Sequence, residues 1–107
     1  MEIQLQPNEQ IIKKGIANNL HGLIINIGSM ILTNKRIYFA TKPLNFQQYD
    51  LSLPLNDIQD VIIKNHFYIF PYGITIMCND QTEQQFAVWK RHAWKNAILK
   101  QKQVINT

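Results

Sequence analysis

The stretch that most constrains this chain is Gly28-Ser29-Met30-Ile31-Leu32-Thr33-Asn34-Lys35-Arg36-Ile37-Tyr38-Phe39. Two apolar runs flank Asn34-Lys35, and asparagine tolerates the positive φ that a tight hairpin turn needs. A turn there sets the pairing: Leu32 opposite Ile37, Met30 opposite Phe39, Ile31 opposite Tyr38 and Thr33 opposite Arg36. Successive side chains on a strand point to opposite faces, so Met30, Leu32, Ile37 and Phe39 share one face. That face is wholly apolar and is assigned to the core. Ile31 and Tyr38 point the other way as an apolar pair. Exposed, they form a patch for self-association or for a partner.

The rest of the chain reads as more strands and one helix. Residues 10–17 read as a first strand, with Ile11, Ile12 and Ile16 around Lys13-Lys14. Residues 18–22, Asn-Asn-Leu-His-Gly, read as a loop by composition. Residues 23–33 are the second strand, where Gly28 suggests a bulge or bend. Residues 36–41 are the third. The alternation Leu51, Leu53, Leu55 marks a strand over 49–55, and Pro54 argues for an edge strand or a strand end. Further strands are read at 58–65, 74–78 and 83–89. After Trp89 the period changes. Trp94, Ala97, Ile98 and Ile105 share one arc of a helical wheel, so 91–105 is an amphipathic helix docking through Trp94 and Ile98. Leu99 lies off that arc. About seven short antiparallel strands and a C-terminal helix follow, in a sheet that must curl or split to protect its edges.

Length and composition bound the function. At 107 residues and 46% hydrophobic, residues 1–107 read as one domain able to bury a core without staples. The single cysteine, Cys78, excludes an internal disulfide framework and favours a reducing compartment. Neither a signal peptide nor a run of ~20 apolar residues is seen, which points to a cytoplasmic protein. His21, His66 and His92 are far apart, and none has metal-ligand spacing with Cys78 or a carboxylate. No paired carboxylates, nucleophile elbow or phosphate-cradling glycine loop is present. The expectation is therefore no enzyme, no metal and no cofactor. The net charge of +4 permits an anionic partner. The basic residues Lys90, Arg91, Lys95, Lys100 and Lys102 carry no nucleic-acid docking motif and read as a solvated helix face.

Several of these segments resemble the GRAM domain, a member of the pleckstrin-homology-like superfold. Glu9-Gln10-Ile11-Ile12 and residues 28–39 are similar to its acidic residue before an apolar pair and its G-x-L-x-L-T-N-x-R-L-x-F hairpin. Leu53-Pro54-Leu55-Asn56-Asp57-Ile58 resembles its I-P-L-x-D-I step. Phe70-Pro71-Tyr72-Gly73-Ile74 resembles its P-N-G-L approach to the sixth strand, with Tyr72 in place of asparagine. Phe86-Ala87-Val88-Trp89-Lys90-Arg91 and Trp94 resemble its last strand and helix start. The matches run in order over residues 9–98. The resemblance implies a mainly β (α+β) split barrel of about seven antiparallel strands in two bent sheets, capped by one C-terminal helix. It also implies a non-catalytic module that binds proteins or membrane phosphoinositides.

Three candidate surfaces follow. The first is the loop bearing Lys42, Leu44 and Phe46. The resemblance puts it at the barrel end that commonly faces membranes, as a contact for anionic lipid at the inner face. A lysine there contributes about 1 kcal/mol and a buried phenylalanine about 2. The competing reading, which the residue types favour, is an ordinary loop whose Leu44 or Phe46 folds back onto the core. The second is the aromatic run His66-Phe67-Tyr68-Ile69-Phe70-Pro71-Tyr72: either Phe67, Tyr68, Phe70 and Tyr72 are protein contacts, or alternate members pack into the barrel end while the others lie flat on it. The third is the pair Ile31 and Tyr38. Residues 18–22 contain no lysine or arginine, where domains of this type usually grip inositol phosphates, so a tight headgroup pocket is not expected. The preferred reading is a protein-interaction or self-assembling module. The alternative is peripheral binding to anionic membrane lipid.

Overall fold

The computed structural model describes residues 3–21, 24–41, 50–65 and 72–105. Its elements are β1 (Ile11–His21), β2 (Ile24–Thr33), β3 (Arg36–Thr41), β4 (Leu51–Pro54), β5 (Ile58–Ile63), β6 (Gly73–Cys78), β7 (Glu83–Val88) and α1 (Arg91–Ile105). Every strand pairs antiparallel in one seven-stranded sheet of order β4-β3-β2-β1-β7-β6-β5. The two sheets expected from the resemblance are thus one continuous ladder. Its edge strands, β4 and β5, are consecutive in sequence and joined only by the 3₁₀ turn Leu55–Asp57. So short a link forces the sheet to curl until its edges approach. Leu55 N–H donates to the Lys35 carbonyl, while Asn79 donates to the Asp57 and Asn56 carbonyls, tying the link to both sides.

The central hairpin has the expected register, Met30 to Phe39, Ile31 to Tyr38 and Leu32 to Ile37. Met30, Leu32, Ile37 and Phe39 are all buried in the core cluster, where Phe39 meets Phe86 at 5.5 Å between ring centroids. The turn works differently from the sequence argument. Among the described non-glycine residues, positive φ occurs at Asn8, Gln81 and Lys90, not at Asn34. Asn34 is used for its side chain. Its Oδ1 accepts from Gln10 N–H at 2.7 Å and its Nδ2 donates to the Asn8 carbonyl at 3.0 Å. The amide thereby pins the chain before β1 against the turn.

Beside it, Thr33 Oγ1 accepts from the N–H groups of Lys35 and Arg36 and donates to Glu9 Oε2 at 2.7 Å. Arg36 grips the same carboxylate with two nitrogens, Nε at 2.9 Å and Nη2 at 3.2 Å. The Thr-Asn-Lys-Arg run is therefore a clamp on the segment that precedes β1, and that segment closes over one end of the hairpin.

Other boundaries differ in physically readable ways. Residues 18–21 belong to β1, not to a loop, because Asn19 points inward and its Nδ2 donates to the Gln85 carbonyl of β7 at 3.2 Å. Gly28 makes no bulge. It stays in register with Ala17 and Thr41, and a Cβ there would overlap the Ala40 carbonyl and come within 2.9 Å of the Phe39 ring. Helix α1 has the bounds read from sequence and docks through buried Trp94 and Ile98. Trp94 lies against Gly15, where a Cβ would stand 3.2 Å from its ring, and Lys13 Nζ sits 5.2 Å from the ring centroid. Leu99, off the predicted stripe, also packs against the core. The barrel end is wider than one helical arc, so residues flanking the stripe are drawn in.

Candidate functional site

The candidate surfaces fare differently. Lys42, Leu44, Phe46, Phe67, Tyr68 and Phe70 lie outside the described residues. Ile31 pairs with Tyr38 on the outer face as expected, but only 2% of it is exposed. It is therefore corrected from an exposed contact to a buried side chain. Tyr38 is half-buried too. Its hydroxyl donates to Asp50 Oδ2 at 3.1 Å, Arg36 lies over its ring, and burial together with Asp50 raises its pKa. Tyr72 remains as an exposed aromatic, stacked on Trp89 at 5.9 Å and 27°.

Trp89 leads to a surface that the sequence reading did not assemble. Strand alternation sends Ala17 and Asn19 inward and Ile16, Asn18 and Leu20 outward. Register then sets Ser29, Ile27 and Ile25 of β2 beside Ile16, Asn18 and Leu20. On the other flank it sets Ala87 and Gln85 of β7 beside Asn18 and Leu20. Trp89, one step beyond β7, continues this outer row towards Ile16. Ile16 and Trp89 are each 68% exposed, Ile25 60% and Ile27 46%. The paired part of β1 and β7 ends at Ala17 and Val88. There the strands part, leaving a groove of about 350 Å³ lined by Ile16, Asn18, Tyr72, Ala87 and Trp89. Across β2, β1 and β7 this stripe holds no charged side chain between Lys14 at one end and Glu83 at the other.

A signal for it exists in the sequence. Leu23-Ile24-Ile25-Asn26-Ile27 places isoleucines at both parities, and a strand buried on one face can hide only one parity. Ile24 and Ile25 are accordingly both exposed, at the tip of the β1–β2 hairpin.

Basic residues stand beside Trp89: Lys90 and Arg91, with Tyr72, Trp89 and His92, line a further hollow of about 300 Å³. Arg91 Nη1 donates to Asn65 Oδ1 at 2.8 Å and to the Lys64 carbonyl at 3.1 Å, joining the helix start to the end of β5. Lys90 takes the left-handed turn between β7 and α1. A second hollow, about 290 Å³, lies where the barrel closes and is lined by Asp57, Cys78, Asp80 and Thr82 among others. Burial pushes the Cys78 thiol up, and Thr82, donating its hydroxyl and N–H to Asp80 Oδ1, holds that carboxyl low. A buried, protonated thiol is a poor nucleophile. Among the described residues no three His, Cys, Asp or Glu side chains group to hold a metal ion. No described helix is long and apolar enough to cross a membrane.

The sequence matches the family model of the GRAM domain over residues 1–102. The chain belongs to the GRAM domain family. GRAM domains share the pleckstrin-homology-like fold and mediate binding to lipids or proteins, often at membrane surfaces. No curated protein matches the sequence. Solved structures show the fold. The Vps36 N-terminal PH domain superposes with a TM-score of 0.75 at 19% identity, over 95% of this chain and 85% of that one. The C-terminal domain of an unknown protein from Leishmania infantum gives 0.75 at 14%, over 90% and 86%. The hSac2 domain from human phosphoinositide phosphatase Sac2 gives 0.69 at 11%, over 94% and 74%.

Proposed function

We propose that this GRAM domain is a non-catalytic binding module whose working surface is the outer face of β2, β1 and β7, and that the surface docks on protein. One observation carries the reading. Ile25, Ile27 and Ile16 on paired strands, with Trp89 and Tyr72 beside them, form an exposed apolar surface whose strand rows carry no charge between Lys14 and Glu83. Protein interfaces have such centres, depleted of charge and rich in aromatics. Attachment to an anionic bilayer calls instead for cations interleaved with the apolar residues.

A photo-crosslinking amino acid at position 16, with exposed Gln59 on β5 as control position, tests this in cells. Crosslinks to protein at 16 and not at 59 are expected. Crosslinks at neither position overturn the reading.

The exposed tip isoleucines Ile24 and Ile25, with the net charge of +4, favour a second reading, contact with anionic lipid. It extends to Lys42, Leu44 and Phe46 in the sequence. Co-sedimentation with phosphatidylserine vesicles that weakens with salt and with Phe46→Ala supports it. No sedimentation at low salt ends it.

A further inference from the structure

We propose that the occupant of the stripe is a second copy of this chain, docked face to face with its strands reversed end for end. The proposal rests on the docking reading above and names its partner.

Three features of the face point to self-association. The first is area. The exposed parts of Ile16, Ile25, Ile27, Trp89 and Tyr72 amount to on the order of 600 Å², approaching the ~800 Å² per partner of a standard interface. The second is charge. A chain of net charge +4 repels its own copy over most of its surface. The stripe is uncharged between its ends, so here two copies approach without like charges in contact.

The third is what stands at those ends. On the outer face of β1, Lys14 lies four residues from Asn18. On the outer face of β7, Glu83 lies four residues from Ala87, the register partner of Asn18. Because β1 and β7 are antiparallel, the two displacements run in opposite directions, each about 13 Å. Take a two-fold axis lying in the interface, across the strands, at the level of Asn18 and Ala87. It brings Lys14 of one copy over Glu83 of the other, one strand aside. Packed sheets stand about 10 Å apart, within reach of two long side chains. Both residues are exposed. The same operation sets Ile16 opposite Leu20 of the copy and brings the Trp89 level over the level of Leu20, Ile25 and Gln85. The two copies of Lys14 stay about 26 Å apart, twice that displacement. An isologous contact needs this self-complementarity.

Sedimentation equilibrium of the purified chain up to several hundred micromolar tests the proposal. The wild type is expected to dimerise. Ile16→Glu, which places a carboxylate in the stripe, is expected to weaken the dimer at least ~100-fold. In dilute, monomeric protein its melting temperature should hold, because Ile16 is exposed. Lys14→Glu and Glu83→Lys should each weaken the dimer about tenfold, and the double variant should recover it to within a few-fold.

A strict monomer at the highest concentration overturns the proposal, and so does a dimer indifferent to Ile16→Glu or a double variant that fails to recover. Quenching of Trp89 by brominated anionic vesicles also overturns it, with a bilayer as occupant. A monomer whose position 16 crosslinks to a different protein refutes the second copy and keeps the docking reading. A monomer with no crosslink refutes both.

Discussion

Replacing Glu9 by glutamine removes the charge that Arg36 and Thr33 were placed to meet. The Glu9 side chain is fully buried and its Arg36 partner nearly so. Burial alone would raise the pKa of the carboxyl. The Arg36 hydrogen bonds, the Gln6 N–H and the Thr33 hydroxyl outweigh it and lower the pKa from 4.5 to about 2. A group whose folded pKa is depressed contributes stability above its unfolded pKa and loses it as pH falls through the folded one. Here that window runs from about pH 4.5 down to about pH 2. Between pH 7 and pH 3 the wild type should lose on the order of 2 kcal/mol through this group alone. Glu9→Gln has no such titration. At pH 7 the variant also leaves the Arg36 guanidinium without its counter-charge, which costs about 3 kcal/mol.

Urea unfolding followed by circular dichroism, at pH 7 and pH 3 for both proteins, measures the gap between them. Comparing the gap cancels every other carboxylate. It should shrink from about 3 to about 1 kcal/mol on acidification, with unchanged m-values. A gap of the same size at both pH values would refute the reasoning, since the carboxylate would then not be titrating inside the clamp.

Other predictions are briefer. Gly28→Ala should cost ~3 kcal/mol or more in urea unfolding, since its Cβ meets backbone at Ala40 and cannot be relieved by a rotamer change. Cys78 should react with iodoacetamide at least ~100-fold more slowly in the native protein than in urea, because burial removes access and raises the thiol pKa. Trp94→Ala should cost about 3–5 kcal/mol, the usual cost of a large core deletion. In dilute protein, Trp89→Ala should change stability by less than ~0.5 kcal/mol, as an exposed side chain does. Chemical denaturation of both tryptophan variants checks the contrast.

The hairpin and the helix were legible because each carries a single period. Leu32 opposite Ile37 follows from alternation, and Trp94 with Ile98 follows from a four-residue step. The role of Asn34 was not legible, since a turn asparagine is explained equally by backbone freedom and by side-chain bonding. Only the position of Asn8 and Gln10 decides between them. Glu9 was visible only as an acidic residue, because its partners, Thr33 and Arg36, are 24 and 27 residues away. Residues 18–21 were misread because asparagine at 19 looks like loop until a backbone carbonyl is supplied from β7. Ile31 was misplaced by a different route: alternation gives the face on which a side chain lies, and it does not say whether that face is covered. The stripe was missed for the complementary reason. Ile16 and Trp89 lie 73 positions apart in the sequence and become neighbours only through the β1–β7 pairing.

The neighbours Asn18 and Asn19 separate folding from binding most sharply. They are identical in chemistry and adjacent in sequence, and strand geometry points them to opposite faces. Asn19 is fully buried, and its amide nitrogen donates to the Gln85 carbonyl. Asn19→Asp replaces that donor with a carboxylate oxygen facing a carbonyl oxygen inside the barrel. Loss of the bond and burial of an unmet charge should together cost at least ~3 kcal/mol at pH 7. The cost should ease at low pH, where the acid is protonated and can donate. Asn18→Asp places the same charge at the centre of the stripe, beside Ile27 and Ala87. In dilute, monomeric protein its melting temperature should stay within about 2 °C of wild type, as for a substitution outside the core. In the dimer proposed above, each copy's Asn18 lies near the axis, so two carboxylates would meet there and association should be lost. Thermal melts of dilute protein at pH 7 and pH 4, with sedimentation at high concentration, read both effects. If both variants melt alike, the assignment of inner and outer faces to β1 is wrong. If Asn18→Asp still dimerises as tightly as wild type, the axis does not pass where the register puts it.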